Sequence, residues 1–391
     1  MKFRAFLFLT LLAAESAFTD FAGAKFALAA SVVFVLLCGV YVRMHRIHLS
    51  LSRSLKGENL FIGFQDENLL TVLNNCPFPL HAAEVSDYGD IDIKGSGNSV
   101  FVASAAAGRN CSNGYAITGR RRGKFRLGPT EIALSDPAGF FPRKKIIDNG
   151  RDIIVYPEIF PVTGLKIRSF QPLGSIKFDL PLFEDHTILS GAREYQPGDD
   201  TRKINWRLSA KLGKPVVNTY QSTVSSEIMI ALNLFADDFR ERRRSVQEEE
   251  SIECAASLAV LFSRRGLKTG ICVNGSVGNT DSIVRIAPGK DPYSLREILS
   301  ALALAQTTRV KSGTELLDTL TPLPWGSSVY YITPSIDERS AARLTNLSGK
   351  GYQVFLVSID SDNGDIVPMN AAGVSRYTAR ICDGVIRLSK V

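Results

Sequence analysis

The chain has 391 residues, of which 45% are hydrophobic and 22% charged, and its formal charge is +7. That length exceeds one ordinary domain, and the apolar content excludes a disordered chain and suits two soluble domains plus a membrane segment. Residues 1–56 carry +5, residues 57–224 carry +2 and residues 225–391 are neutral, so the basic excess is a topology signal beside hydrophobic segments and not a nucleic-acid surface.

Two apolar stretches open the chain, Phe3 to Phe18 and Ala22 to Val42. The second is long enough to cross a hydrocarbon core of about 30 Å as a helix, and the first is marginal. Lys2 and Arg4 ahead of a short apolar run also fit a cleavable signal peptide. A second spanning run follows within a few residues, however, and the connection around Glu15, Asp20 and Lys25 has no basic excess. Residues 1–56 are therefore expected to form a transmembrane helical hairpin with a basic juxtamembrane segment. Arg43, Arg46, Arg53 and Lys56 follow the second run as Lys2 and Arg4 precede the first. The positive-inside rule then places both ends, and the soluble part, on the cytoplasmic side of the inner membrane.

From residue 57 to about residue 180, short β-like runs are broken by turn residues such as Asn74-Asn75 and Asn113-Gly114, which predicts a β-rich sandwich or barrel-like domain. Arg120, Arg121, Arg122, Lys124 and Arg126 could contact an anionic lipid or a nucleic acid. The alternating "RGKFRLG" also fits a strand with one solvated face, the better reading. "SDPAGFFPRKK" (135–145) is a turn-rich connection with an aromatic plug, structural in character. The six cysteines, Cys38, Cys76, Cys111, Cys254, Cys272 and Cys382, show no metal-ligand spacing and are expected as free thiols, mostly buried.

Residues 181–224 form a linker that contains "GAREYQPGDDTRKINWRLSAKLGKPVVNTYQ" (191–221). Arg193, Arg202, Arg207 and Lys211 are interleaved with Glu194, Asp199 and Asp200, so both signs of charge converge. The Pro197-Gly198 turn places Asp199 at a helix start, where a carboxylate caps exposed N–H groups. Ile204, Leu208 and Leu212 then recur at helical spacing up to Gly213, with Trp206 and Arg207 leaving the stripe sideways.

This string resembles the DUF58 family, whose hallmark "R-x-Y-x-x-G-D-x-x-R-x-I-x-W-x-x-x-A" is matched by Arg193, Tyr195, Gly198, Asp199, Arg202, Ile204, Trp206 and Ala210. The upstream "RRRGKFRLGP", "SDPAGFF" and "IIVYP" are similar to the family's approach to it. The resemblance implies a membrane-anchored protein whose C-terminal domain is von Willebrand factor A-like. It also implies association with a MoxR-type AAA+ ATPase and other A-domain proteins in cell-envelope assembly or maturation. The motif is either an ion-paired linker or a binding surface, an anion site of arginines or a docking patch centred on Trp206 and Arg207.

After residue 225, apolar strands alternate with amphipathic helices, which predicts a Rossmann-like α/β domain with a parallel sheet covered on both faces. Its binding edge would lie at the strand C-termini. The A-domain resemblance implies a cation site there with an Asp-x-Ser-x-Ser string, a Thr and a later Asp. This chain has Asn233, Phe235 and Asp237 in register, keeps Thr314, and shows Thr333 and Pro334 where the last acid belongs. Lacking the carboxylates a hard cation needs, the domain is expected to hold no metal, with Asp237 and Thr314 as weak candidates. No cofactor motif or nucleophile-plus-base string is present, and four histidines, His45, His48, His81 and His186, leave few general bases. The expected function is a non-catalytic adaptor. The alternatives are an envelope hydrolase using Asp199 and Asp200, or anionic-lipid or nucleic-acid binding through Arg120–Arg126.

Overall fold

The computed structural model describes all residues except 1, 19–21, 58, 91–92, 97–98, 166–184, 198, 222–226, 279, 360–372 and 391. They fall into two units, Met1–Glu158 and Ile159–Val391.

The first unit opens with two helices in contact, α1 (Lys2–Phe18) and α2 (Ala22–His48). Among the described residues one helix, α2, is long and apolar enough to cross a membrane. Its Phe26, Val33, Phe34, Leu36, Leu37 and Val40 are exposed, a surface that water penalises and hydrocarbon accepts. α2 continues beyond the apolar run and carries Arg43 and Arg46 in its last turns. His45, in the same turn, is fully buried. Its Nδ1 lies 3.0 Å from the Tyr41 carbonyl oxygen and 3.8 Å from Cys76 Sγ.

Ten strands follow: β1 (Leu49–Leu55), β2 (Asn59–Phe61), β3 (Gln65–Asn74), β4 (Leu80–Gly89), β5 (Ile93–Ser96), β6 (Val100–Ala105), β7 (Asn110–Gly119), β8 (Gly123–Leu134), β9 (Arg143–Ile147) and β10 (Arg151–Tyr156). They build one sheet in the order β1-β3-β7-β5 and a second in the order β2-β10-β8-β4-β6, with β9 also on β8. Strands of the two sheets alternate buried and exposed residues, so each sheet has one face for a core. Leu49 and Val72 of the first sheet pack with Leu80, Val85, Ile132 and Leu134 of the second. The expected β-rich region is thus two sheets face to face. Asp87 fixes them across the core: it takes two bonds from Arg53 (2.6 and 2.9 Å) and others from Thr130, Asn68 and Tyr115. The ion pair is nearly inaccessible to water, and every lone-pair direction of the carboxylate is answered, which is what makes a buried charge tolerable.

The loop between β8 and β9 is organised by Asp136, whose carboxylate accepts from the backbone N–H groups of Ala138, Phe140 and Phe141. Burial alone would raise this carboxyl, but the Phe141 and Phe140 N–H groups hold it below the ordinary range. The expected aromatic plug is thereby aimed: Phe140 meets Phe8 of α1, and the Phe141 ring lies 3.8 Å from where a Cβ on Gly39 would stand.

The second unit contains β11 (Val162–Thr163), β12 (Asp185–Glu194), β13 (Val216–Gln221), β14 (Ile228–Leu232), β15 (Thr269–Val273), β16 (Ser276–Val277), β17 (Thr280–Asp281), β18 (Val284–Gly289), β19 (Ala305–Gln306), β20 (Ser328–Thr333), β21 (Gln353–Ile359), β22 (Val374–Cys382) and β23 (Val385–Lys390). Its helices are α3 (Trp206–Leu212), α4 (Arg244–Arg264), α5 (Pro292–Leu304), α6 (Gly313–Asp318) and α7 (Glu338–Gly349). The main sheet runs β11-β23-β22-β21-β20-β14-β15-β18. From β15 through β22 the strands are parallel, and β18 and β23 join antiparallel.

All residues of β14, β15 and β20 are buried, as strands covered on both faces require. On one face Met229, Ala231, Val329, Tyr331 and Leu356 pack with α6 and α7 through Leu316, Leu317 and Leu344. α4 and α5 contact the sheet as well as each other, and the Phe262 ring of α4 meets Tyr330, which stacks on Phe355 at 4.5 Å. Thus the α/β expectation holds as a mixed sheet with parallel centre. β14 leads to β15 on one side and β20 on the other, so the chain reverses its direction of winding at the C-terminal end of β14.

Candidate functional site

The hallmark string forms an antiparallel hairpin capped by a short helix. β12 pairs with β13 in continuous register from Gly191 opposite Thr219 to Glu194 opposite Val216. At its tip Arg193 grips Asp199 in a two-pronged ion pair of 2.6 and 2.7 Å, and Asp199 also accepts from the Gln196 N–H. The Arg193 guanidinium first, and that N–H second, hold the Asp199 carboxyl below the ordinary range. Tyr195 is held through its backbone N–H to the Pro215 carbonyl. Gly198 lies outside the described residues.

Three details of the expected helix are corrected. Asp199 caps nothing; Asp200 caps a 3-10 turn, Thr201–Lys203, by accepting from the Arg202 N–H. α3 starts later, at Trp206, with Asn205 as its N-cap accepting from Leu208 N–H, and it ends as expected at Gly213 in a left-handed conformation. The stripe of Ile204, Leu208 and Leu212 is not a buried face, since Ile204 bridges to Val217 outside the helix and Leu212 is exposed. The buried residue is Ser209, whose hydroxyl donates to the Asn205 carbonyl and accepts from Val216 N–H. Together these bonds lock α3 to the hairpin and leave Trp206 72% exposed. Arg207 is beside it, exposed, and among the described residues no ion pair engages Arg202 or Arg207.

The carboxylates of this segment have the chain's own groups as partners. Asp199 has Arg193, Asp200 has the Arg202 N–H, and Glu194 pairs with Lys214 at 3.2 Å. The basic run is similarly engaged: Lys124 pairs with Asp152 and Arg126 with Asp148, while Arg120 and Arg121 are exposed in the turn after β7.

At the winding switch the strand ends carry a closed polar network. Asn233 after β14 donates through Nδ2 to Asp238 (2.6 Å) and Thr333 (3.1 Å), and its Oδ1 accepts from Asn274 Nδ2 (2.8 Å) and Phe235 N–H (3.2 Å). Asn274 in turn accepts from Leu234 N–H and donates to the Lys311 carbonyl. Gly313, the first residue of α6, has no room for a side chain: a Cβ would stand 3.1 Å from Asn233 Nδ2 and closer still to the Tyr331 hydroxyl. The amide Nδ2 thus supplies the donor that answers the Asp238 carboxylate. Burial raises the Asp238 carboxyl, donation from Asn233 opposes this, and the charges of Asp337 and Asp237 raise it further.

Asp237 is exposed and 3.9 Å from Arg309, and the Thr314 hydroxyl bonds Ser312. Neither joins Asn233 in this network. Among the described residues no group of three or more His, Cys, Asp or Glu side chains could hold a metal. Sequence reading found the missing acids but not Asn274. Asn274 meets Asn233 only because β15 runs beside β14.

Residues 191–323 match the family described as "Protein of unknown function DUF58". An uncharacterised protein of Bacillus subtilis, YeaD, is 21% identical over 277 residues, 70% of this chain and 66% of its own length, just under two thirds. Among solved structures, the CARDB domain of a Pyrococcus furiosus protein matches at 13% identity and a TM-score of 0.20, covering 27% of this chain and 91% of that one. Proximal thread matrix protein 1 of the mussel byssus matches at 10% identity and a TM-score of 0.27, covering 37% and 39%. Scores this low carry no argument, and the fold is read from the chain's own topology.

Proposed function

We propose, from the match of residues 191–323 to the DUF58 family, that this chain is a non-catalytic, membrane-anchored adaptor that docks a protein partner on Trp206 and Arg207. The observation that carries this reading is Trp206 itself. A tryptophan 72% exposed on a helix locked by Asn205, Ser209 and the hairpin is a rigid, pre-positioned anchor, and Trp and Arg dominate the binding energy of protein interfaces. In this reading α2 anchors the chain in the inner membrane, with the soluble part cytoplasmic. The C-terminal sheet is a von Willebrand factor A-type scaffold whose cation seat is filled by Asn233. The partner is a MoxR-type AAA+ ATPase, and the process is envelope assembly or maturation.

The test is affinity purification of the full chain from detergent extract. The ATPase should accompany the natural protein, and Trp206→Ala should weaken its retention about thirtyfold, the effect of losing an anchor of about 2 kcal/mol. Unchanged partners in both Trp206→Ala and Arg193→Ala would sink the docking role of this surface.

A further inference from the structure

We propose that the end of α2 and the loop entering β9 form a headgroup site for an anionic, phosphate-bearing membrane lipid, held by Arg43, Arg46 and Arg143. The proposal rests on the reading of α2 as a membrane anchor. A cavity of about 630 Å³ lies here, lined by the three arginines together with Gly39, Val42, Ile47 and Phe141, and among the described residues by no carboxylate. Among the described residues none of the three guanidiniums has an ion pair or a side-chain hydrogen bond.

Other cations of this unit do find acids: Arg53 has Asp87, Lys124 has Asp152, Arg126 has Asp148 and Lys144 has Glu131. β9 itself shows the contrast. Side chains alternate along a strand, and Lys144 reaches Glu131 while its neighbours Arg143 and Lys145 stand with α2. Lys145 donates to the Leu49 carbonyl at 2.6 Å, and its ammonium is pushed below its ordinary value by burial and then by the charge of Arg46. Positive charge at this spot is thus concentrated and unanswered. A phosphate, which accepts paired bonds from guanidinium groups, answers it.

The position selects a lipid over a free phosphate. Arg43 follows directly on the apolar run, and Arg46 lies three residues on, about 4.5 Å farther along the axis, so both stand at headgroup level when α2 spans. Exposed Leu36, Leu37 and Val40 lie within two turns below, a surface for acyl chains. The Phe141 ring against side-chain-free Gly39 adds the aromatic group typical of the interface.

The experiment uses the full chain in nanodiscs of equal phosphatidylglycerol and phosphatidylcholine, and counts by native mass spectrometry the lipids retained after detergent transfer. Phosphatidylglycerol should be retained over phosphatidylcholine on the order of a hundredfold for three arginines. The Arg43→Gln, Arg46→Gln, Arg143→Gln triple variant should lose the preference. Arg120→Gln, at the far end of β8, should keep it. The substituted arginines are exposed, and an unchanged melting curve of the triple variant shows that folding is intact. Equal retention of the two lipids, or a preference that survives in the triple variant, overturns the site while leaving the anchor. Displacement of the lipid by inorganic phosphate or glycerol 3-phosphate at matched concentration identifies a soluble phosphate as the ligand and overturns the lipid assignment. A chain that does not enter nanodiscs at all overturns the anchor, and the site with it.

Discussion

Asn233 joins four groups with one amide, and the identity of its two ends is what keeps the strand edge closed. Asn233→Asp would put a second carboxylate 2.6 Å from Asp238 and remove the donor to Thr333. The expected loss is about 3 kcal/mol at pH 8 and shrinks as acidification lets one proton relieve the repulsion, and urea unfolding across a pH series measures it. Two of the perturbed acids of this unit, Asp238 and Asp199, pull stability in opposite directions. Asp238 is raised, so its contribution is full below the ordinary carboxylate value and fades as pH climbs through its own. Asp199 is lowered, so its contribution is present at neutral pH and lost as pH falls through its own value. The lack of acids at Asn233, Phe235 and Thr333 was legible in sequence, because strand register alone places those positions. Asp238 enters the network through the fold, since a 3-10 turn over Ala236–Asp238 brings its carboxylate back to Asn233.

At the level of elements, α3 depends on its first cap. Asn205 accepts from Leu208 N–H and donates to Asn218 on β13, so Asn205→Ala should cost about 1 kcal/mol and loosen Trp206. A melting curve gives the first effect, and faster tryptophan depolarisation against the Trp325→Phe background gives the second. The helices α4, α5 and α7 were readable from the amphipathic periodicity after residue 225. β12 was not, because Arg193 and Glu194 sit on a solvent-facing hairpin whose charges conceal strand alternation. β22 escaped for a related reason: Ser375, Arg376, Thr378 and Arg380 break its apolar pattern, although Tyr377 and Ala379 are buried.

On the scale of the whole molecule, the orientation proposed from the basic flanks of the first 56 residues is one that a single thiol can report. All six cysteines are free, and Cys382 alone is exposed. With the soluble part on the cytoplasmic side, a membrane-impermeant maleimide should leave Cys382 unlabelled in cells with an intact inner membrane and label it after permeabilisation. Labelling of intact cells would reverse the orientation.

The short parallel pairing of β11 with β23, Val162 beside Ile386 and Thr163 beside Arg387, bears on how the protein can be divided. The family match begins at residue 191, yet β23 is covered by a strand nearly thirty residues earlier, and Phe160 N–H bonds Ser257 on α4. A fragment begun at Gly191 would present β23 as a bare edge, its N–H and C=O groups free to recruit another chain. One begun at Ile159 would carry its own lid for that edge, and is the piece to express when the α/β unit is wanted alone.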